Sequence, residues 1–388
     1  MVRNGEKGIE TIMNQAEHGG NIYRLADELK IQEREVIDFS TSVNPLGVSK
    51  KVKAEIRRHL KYLHRYPDPD AKRLRKRLGQ QHAVDPGTIL CGNGSTELIY
   101  LITEALNPRR VLIPAPTYSE FERAVHRRMN KDQRVQIEHI VLKEEDGYAI
   151  RVEEYIHALQ KGWSANSSDI HQHSSLPFEM AFLCNPNNPT GKLLRRQQVS
   201  EIADAAKECG CYLIVDEAFI DFSPDNSVIE EVADNPYLIV LRSMTHFYAL
   251  AGLRLGYGIF PTNVIERLQQ YRAPWTVNSL AQKAAAAALK DKAYRKESMA
   301  VLQQEKTFLE KTFRKLGITF FPSDANFYLV KTAVAPEICR HLRKKGILVR
   351  DCLDFKELDS SYMRIAVKSH RENTIFVREL KKIVAPGE

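Results

Sequence analysis

Short apolar segments and segments with helical periodicity alternate along the first two thirds of the chain. Ala181-Phe182-Leu183-Cys184 and Tyr212-Leu213-Ile214-Val215 are continuous apolar runs, which is typical of strands buried on both faces of a parallel sheet. The pattern predicts strands near 89–91, 110–114, 180–184, 211–216 and 237–242, with helices such as 96–106 and 197–208 between them. This alternation indicates an α/β fold that binds its ligands at the carboxyl ends of the strands.

The pattern changes after Ala273-Pro274-Trp275. An Ala-rich helical stretch is predicted over 279–316, followed by strands near 317–321, 326–330 and 362–367 and a closing helix near 370–384. These elements predict a smaller α+β unit after the larger α/β one. A chain of 388 residues is long enough for both.

The composition is that of an ordinary globular protein. Apolar residues make up 43% of the chain and charged residues 27%, which excludes a disordered, collagenous or disulfide-scaffold protein. The N-terminus is charged where a signal peptide needs an apolar run, and nowhere are there about 18 consecutive apolar residues. We therefore expect a cytoplasmic protein that does not cross a membrane. Its six cysteines are scattered and are expected to be buried free thiols.

The net charge of +8, from 57 Lys and Arg against 49 Asp and Glu, suits nucleic acid, a membrane surface or small anions equally well. The basic residues of 50–65 alternate with apolar residues at helical spacing, which indicates a surface helix, so no nucleic-acid partner is expected. Residues 165–177 are rich in Ser, His and Asn and predict a surface loop. His171 and His173 are assigned to that loop rather than to a metal site.

A candidate phosphate site follows the strand at 89–91. The segment Gly92-Asn93-Gly94-Ser95-Thr96-Glu97 opens a helix, where free backbone N–H groups and two hydroxyls suit an anion. The alternative is a glycine-rich turn in which Ser95 or Thr96 only caps the helix. The segment has neither the Gly-Lys-Ser/Thr of a P-loop nor a Gly-x-Gly-x-x-Gly pattern, which disfavours nucleotide binding.

Polar residues also follow the next strands. Asn185-Pro186-Asn187-Asn188-Pro189-Thr190-Gly191 comes after the strand at 180–184, and Asp216 ends the strand at 211–216. A carboxylate at the end of an apolar strand needs a cationic partner, and a protonated pyridine nitrogen satisfies that need. Ser243 and Arg254, after the strand at 237–242, add a hydroxyl and a positive charge to the same anion site.

Four blocks in this order resemble the fold-type I pyridoxal-phosphate (PLP) enzymes of the aspartate aminotransferase superfamily. The sequence is most similar to the L-threonine O-3-phosphate decarboxylases of cobalamin biosynthesis, and next to the histidinol-phosphate aminotransferases. The motifs that carry this likeness are His18-Gly19-Gly20-Asn21-Ile22, Asp38-Phe39-Ser40-Thr41-Ser42-Val43-Asn44-Pro45-Leu46-Gly47, Arg65-Tyr66-Pro67-Asp68-Pro69, Ala218-Phe219-Ile220-Asp221-Phe222 and Ala273-Pro274-Trp275-Thr276-Val277-Asn278. The resemblance covers nearly the whole chain. It implies a PLP-binding large domain at 49–273 with a mostly parallel seven-stranded sheet, a small domain at 274–388, and an N-terminal arm at 1–48 that packs on the small domain.

The resemblance also assigns roles to individual residues. Those expected at the cofactor are Gly94, Ser95, Thr96, Ser243 and Arg254 on its phosphate, Tyr118 on its ring, Asn188 at O3′ and Asp216 at the ring nitrogen. Those expected at the substrate are His18, Gly19, Gly20, Asn21, Asn44 and Asn188, with Arg350 at its phosphate and Arg364 at its carboxylate. Tyr66 is expected to reach the phosphate site of a neighbouring subunit, which implies a homodimer with shared active sites. Tyr118, Asp216 and His246 are the expected catalytic residues.

The implied reaction is the loss of CO2 from L-threonine O-3-phosphate, which gives (R)-1-amino-2-propanol O-2-phosphate. Phe219 favours this branch, because many aminotransferases of the superfamily have tyrosine at that position. Decarboxylation and transamination differ only in which bond at Cα is held perpendicular to the cofactor ring. A histidinol-phosphate aminotransferase therefore stays open as the alternative enzyme.

One residue departs from the pattern of the superfamily. Three residues after Ser243 and eight before Arg254, the superfamily has the lysine that forms the Schiff base with PLP, and this sequence has His246. Imidazole cannot form that bond, although it can move protons near neutral pH. We expect cofactor binding to persist and turnover to be impaired. Three explanations stay open: a deliberate replacement of the lysine, a natural enzyme that uses pyridoxamine phosphate with His246 as base, or an inactive relative that only binds the cofactor.

Overall fold

The computed structural model of the chain describes residues 19–127, 135–162 and 176–384. The predicted loop at 165–177 lies almost wholly outside the described residues. The strands in chain order are β1 (Ile37–Asp38), β2 (Ile89–Gly92), β3 (Arg110–Ala115), β4 (Gln136–Val141), β5 (Met180–Cys184), β6 (Tyr212–Asp216), β7 (Leu238–Ser243), β8 (Gly256–Ile259), β9 (Thr319–Phe320), β10 (Phe327–Lys331), β11 (Ile347–Leu348), β12 (Arg350–Asp351) and β13 (Tyr362–Ala366).

Helices connect these strands. They are α1 (Ile22–Leu29), α2 (Lys50–His59), α3 (Lys72–His82), α4 (Ser95–Leu106), α5 (Glu120–His126), α6 (Val152–Lys161), α7 (Arg196–Glu208), α8 (Thr262–Tyr271), α9 (Ser279–Ala288), α10 (Lys292–Lys315), α11 (Ala335–Lys344) and α12 (His370–Val384). The central sheet has seven strands in the order β2-β8-β7-β6-β5-β3-β4. Only β8 runs antiparallel to its neighbours β2 and β7. The predicted α/β fold with a mostly parallel seven-stranded sheet is confirmed.

Both faces of the central sheet are buried. On β5, Ala181 and Leu183 belong to one apolar cluster, whereas Met180, Phe182 and Cys184 belong to a second one. Successive side chains of a strand point to opposite faces, so the two clusters cover the two sides of the sheet. This arrangement explains why the apolar run of β5 is continuous rather than alternating.

The C-terminal part of the chain forms a second sheet, which is antiparallel and has the strand order β12-β13-β10-β9. The strands predicted near 317–321, 326–330 and 362–367 correspond to β9, β10 and β13. Near the N-terminus, β1 pairs in parallel with β11, so this early segment lies against the C-terminal part. The predicted domain boundaries after residues 48 and 273 stay predictions.

The predicted helical stretch over 279–316 is wrong in one respect, because two helices occupy it. The helical conformation is interrupted between α9 and α10. There Asp291 accepts a hydrogen bond from the N–H of Tyr294 at 3.4 Å and pairs with Lys51 at 3.0 Å. Alanine favours the helical conformation on either side, so the sequence pattern does not show where the helix is interrupted. The signal for it is the aspartate, which is a good helix N-cap.

The sequence prediction also lacks two strands of the central sheet. β8 contains Gly256 and Gly258, and glycine is a poor strand former, while β4 is an edge strand whose residues are exposed or only half-buried. All six cysteines are free, as predicted, but Cys209 and Cys339 are only half-buried. Within the described ranges, no helix has both the length and the apolar character needed to span a bilayer.

Candidate active site

A cavity of about 430 Å³ lies at the carboxyl ends of β5, β6 and β7, where the strand pattern predicts a ligand. Segments from the N-terminal and C-terminal parts of the chain complete its wall. Most of the predicted site residues line this cavity: Gly19, Gly20, Ser95, Thr96, Tyr118, Asn188, Asp216, Ser243, His246, Arg254, Arg350 and Arg364. The structure therefore brings together residues that lie far apart in the sequence.

The start of α4 is the candidate anion-binding end of the cavity. Gly94 precedes the helix with φ of +85°, and no side chain caps the helix start, so Ser95 and Thr96 do not act as plain caps. A Cβ atom on Gly94 would lie 2.5 Å from Nη2 of Arg254. A Cβ atom on Gly256 would lie 2.2 Å from the backbone nitrogen of Ser95. Glycine at both positions lets a guanidinium and free N–H groups converge, which suits a phosphate.

Tyr118 lies beside this anion-binding end. Its hydroxyl is 3.2 Å from the hydroxyl of Thr96, and its ring packs edge to face against Phe121. Burial raises the pKa of Tyr118 to about 12, so the phenol stays protonated at neutral pH. A fixed, neutral aromatic ring in this place is suited to pack against a planar ligand.

Asp216 ends β6 and is 2% exposed. Its carboxylate accepts a hydrogen bond from the N–H of Ala218 at 3.0 Å, and burial raises its pKa to about 7. No Lys, Arg or His of the described ranges forms an ion pair with it. The neighbouring Glu217, in contrast, pairs with Arg242 at 3.0 Å. Asp216 thus presents an acceptor that lacks its cation, and a protonated ring nitrogen fits that position.

His246 lies in the same cavity, and no lysine of the described ranges lines it. The imidazole stacks on Phe219 with centroids 4.0 Å apart, and its Nδ1 is 3.0 Å from the carbonyl oxygen of Ser42. A carbonyl can only accept, so Nδ1 carries the hydrogen and Nε2 keeps its lone pair. Burial lowers the pKa of His246 to about 4. The side chain is therefore a neutral base at physiological pH.

Two arginines lie side by side on another wall of the cavity. Arg350 on β12 faces Arg364 in the register of β13. Arg364 donates to the side-chain oxygen of Asn188 and, at 2.9 Å, to the carbonyl of Ser40. Burial lowers its pKa to about 10, which still leaves it charged. Arg350 pairs with Asp354.

Several predicted residues lie elsewhere. Asn44 is buried behind the cavity, where its amide donates to the carbonyl of Phe247 at 2.8 Å and to Ser298 at 2.7 Å. Asn21 caps α1. Tyr66 is exposed and contacts Trp275. His18 lies outside the described residues.

The cavity also contains residues that the sequence prediction missed. Asp38, Ser42, Thr245 and Phe355 line it. Of these, Thr245 could have been predicted from the sequence, because it lies only two residues after Ser243. In the structure its N–H donates to the Ser243 hydroxyl at 3.2 Å. Among the described residues, no cluster of His, Cys, Asp and Glu side chains is arranged to hold a metal ion.

The profile of aminotransferase class I and II matches residues 34–380. The chain belongs to the class I and II aminotransferase family. This family is PLP-dependent, and the unpaired carboxylate of Asp216 together with the anion-binding start of α4 fits that cofactor.

Within this family the chain is similar to proteins of two activities. It is 35% identical to a threonine-phosphate decarboxylase of Salmonella typhimurium, over 96% of this chain and 98% of the relative. A structure of a histidinol-phosphate aminotransferase from Clostridium acetobutylicum has a TM-score of 0.79 at 30% identity and covers 90% of this chain and 100% of that one. A structure of L-threonine-O-3-phosphate decarboxylase from Porphyromonas gingivalis has a TM-score of 0.74 at 25% identity, with 90% and 99% covered. Family membership therefore does not decide between decarboxylation and transamination, and the argument for one of them must come from the residues of the site.

Proposed function

We propose that the chain binds PLP in this cavity and belongs to the enzymes that decarboxylate L-threonine O-3-phosphate, with turnover limited by His246. The observation that carries this proposal is the presence of three arginines, Arg254, Arg350 and Arg364, on the wall of one small cavity. Cofactor and substrate together bring three anionic groups, namely the PLP phosphate, the substrate carboxylate and the substrate phosphate. Each can pair with one guanidinium.

In this proposal each residue of the cavity wall has a separate role. Arg254, Ser95 and Ser243 would hold the cofactor phosphate, and the Asp216 carboxylate would keep a proton on the ring nitrogen. Bound PLP supplies the electron sink for the pair that remains on Cα when CO2 leaves. Arg364, placed by Asn188 and Ser40, orients the substrate carboxylate. Cα would then take up one proton, which Nε2 of His246 first accepts from solvent and then donates.

The low pKa of His246 limits this last step. At neutral pH the protonated imidazole is scarce, because its pKa is about 4. Without a lysine in the described part of the cavity wall, the cofactor also lacks a covalent attachment. We therefore expect the chain to bind PLP and to turn over slowly, and His246→Lys to be faster.

Two assays test the proposal. With O-phospho-L-threonine and PLP, the His246→Lys variant is expected to release CO2 and to form 1-amino-2-propanol O-2-phosphate. Amino-group transfer from histidinol phosphate to 2-oxoglutarate, without CO2 release from phosphothreonine, would instead establish the aminotransferase, which the structural likeness to the Clostridium acetobutylicum enzyme favours. PLP binding without either activity in both forms would identify a non-catalytic relative.

A homodimer with shared active sites belongs to the same proposal. Tyr66 does not line the cavity of its own chain and is 81% exposed, next to the half-exposed Trp275. Two exposed aromatic rings are typical of an interface. The molecular mass in solution tests the dimer, and Tyr66→Ala is expected to weaken PLP binding without changing that mass.

A further inference from the structure

The carbonyl oxygen of Ser42 accepts hydrogen bonds from two side chains. Nδ1 of His246 lies 3.0 Å from this oxygen, and the side-chain amide of Asn326 donates to it at 2.9 Å. Ser42 is 2% exposed and Asn326 is fully buried. Because a carbonyl oxygen can only accept, the Asn326 amide must face it with its nitrogen. Three distant parts of the chain therefore meet at one oxygen atom.

Backbone contacts hold the segments that carry these residues. The N–H of Asn44 donates to the carbonyl of His246 at 2.9 Å, so the segment that contains Ser42 lies against His246. Asn326 comes directly before β10, and its own carbonyl accepts from the N–H of Val367 at 2.8 Å. Both segments are thus held without the Asn326 amide, whose separate effect is to fix the direction of the Ser42 carbonyl.

The direction of that carbonyl decides which nitrogen of neutral His246 carries the hydrogen. In the tautomer with the hydrogen on Nδ1, the imidazole donates to the Ser42 oxygen and Nε2 keeps its lone pair. In the other tautomer the lone pair of Nδ1 faces that oxygen at 3.0 Å, which is unfavourable unless the carbonyl turns away. Turning it away also breaks the hydrogen bond from Asn326. The Asn326 amide therefore adds the energy of about one hydrogen bond to the preference for the first tautomer.

We propose that Asn326 is a positioning residue, which holds the Ser42 carbonyl so that neutral His246 keeps its hydrogen on Nδ1 and its lone pair on Nε2. Asn326 acts through these two residues, because it does not line the cavity itself. The proposal rests on the proposed function in one respect, since it takes His246 as the group that moves a proton in the reaction. The tautomer itself does not depend on the reaction and can be measured without turnover.

Nitrogen NMR of the full chain with isotope-labelled histidine measures the tautomer. At pH 8 the two ring nitrogens of a neutral imidazole differ in chemical shift, and the one that carries the hydrogen can be identified. The signals of residue 246 are those that are missing from His246→Lys. In the original chain we expect the hydrogen on Nδ1. Asn326→Leu has a similar volume but no donor, and in it we expect the ratio of the Nδ1–H to the Nε2–H form to fall about tenfold. Asn326→Ala is a second variant, should the first fold poorly.

Asn235 provides a matched control, because it is buried and does not line the cavity. It is 6% exposed, and its amide donates to the carbonyl of Ala203 at 3.1 Å. Asn235→Leu removes a buried hydrogen bond of the same kind, so we expect it to lower the melting temperature as Asn326→Leu does. The tautomer ratio of His246 should stay within about twofold of the original, since its surroundings are unchanged.

Turnover gives a second measure of positioning. In Asn326→Leu, kcat for CO2 release from O-phospho-L-threonine should fall with the fraction of His246 that has a lone pair on Nε2. KM should stay within about twofold, because Asn326 does not line the cavity. In the His246→Lys background the same substitution should change kcat by at most about twofold, because an amine has no tautomers.

The outcomes separate this proposal from the function it builds on. An unchanged tautomer ratio in Asn326→Leu, an equal change in Asn235→Leu, or an equal loss of kcat in the His246→Lys background would each overturn it. A changed ratio without CO2 release by His246→Lys supports the role of Asn326 and sinks the decarboxylation. CO2 release with an unchanged ratio does the reverse.

Discussion

The imidazole of His246 lies over the ring of Phe219, with centroids 4.0 Å apart and planes 27° apart. The carbonyl of Ser42 holds Nδ1 at 3.0 Å. These two contacts fix the ring in the cavity wall and leave Nε2 as a neutral acceptor. His246 can therefore exchange a proton with a ligand, but it offers no amine to the cofactor.

The first prediction concerns attachment of the cofactor. After incubation with PLP and reduction with borohydride, we expect no cofactor mass on the peptide that contains residue 246, because only an amine forms a reducible bond with the aldehyde. In His246→Lys the same peptide should carry it. Mass spectrometry of the digested protein makes the measurement, with peptides containing surface lysines such as Lys50 as background. Cofactor mass on the histidine peptide would contradict the assignment.

The second prediction concerns Asp216 and pH. Its pKa of about 7 in the folded chain lies above the ordinary 3.8, so folding favours the protonated carboxyl. The ligand-free protein therefore loses stability as pH rises from about 4 to about 7, by up to about 4 kcal/mol for a shift of this size. Asp216→Asn removes this dependence and should unfold at a higher temperature than the original chain at pH 8.

The cofactor should reverse the sign of that effect. A cation at the ring nitrogen lowers the pKa of Asp216 and stabilises its charged form, so PLP should stabilise the original chain much more than Asp216→Asn. The exposed Asp225→Asn is the matched control and should follow the original chain in both melts. If Asp216→Asn were less stable than the original in the absence of PLP, the carboxylate would already have a partner.

Those parts of the site that depend on neighbours in sequence could be predicted. A carboxylate that ends a continuous apolar strand needs a partner wherever it occurs, so the sequence predicts Asp216 as a site residue, and the structure places it in the cavity wall. Gly94 and the hydroxyls of Ser95 and Thr96 at the start of α4 were predicted in the same way, because the free N–H groups of a helix start suit an anion without a distant residue.

Residues whose role depends on distant contacts could not be predicted in this way. Nothing in the sequence around Asn44 indicates that its amide donates to the carbonyl of Phe247, which lies 203 positions away in the chain. Asp354 lies four residues after Arg350, but outside a helix this spacing fixes no geometry. The interruption of the helix between α9 and α10 could not be predicted because the local helix propensity is uniform there.

The third prediction concerns the buried ion pairs of Arg242. Arg242 is 3% exposed and donates to Glu217 at 3.0 Å and to Asp221 at 2.9 Å. Arg242→Met leaves two buried carboxylates without this partner, so we expect a loss of about 3 to 5 kcal/mol in the free energy of unfolding. Arg196 pairs with Glu231 at the surface at 2.8 Å, and Arg196→Met should cost at most about 1 kcal/mol. Equal losses in urea unfolding would show that burial of the first pair makes no difference.

The fourth prediction concerns the anion-binding start of α4. Gly94 has φ of +85°, and a Cβ atom there would lie 2.5 Å from Nη2 of Arg254. Gly94→Ala must therefore shift the guanidinium or the helix start, and the strain of about 1 to 3 kcal/mol corresponds to a loss of PLP affinity of roughly tenfold or more. Gly252 is the matched control, because a Cβ atom there meets nothing within 4 Å. Titration of each variant with PLP, followed by absorbance, measures the affinities. If Gly94→Ala bound PLP as tightly as Gly252→Ala, the phosphate would have to bind elsewhere in the cavity, and Arg254 would lose its proposed role.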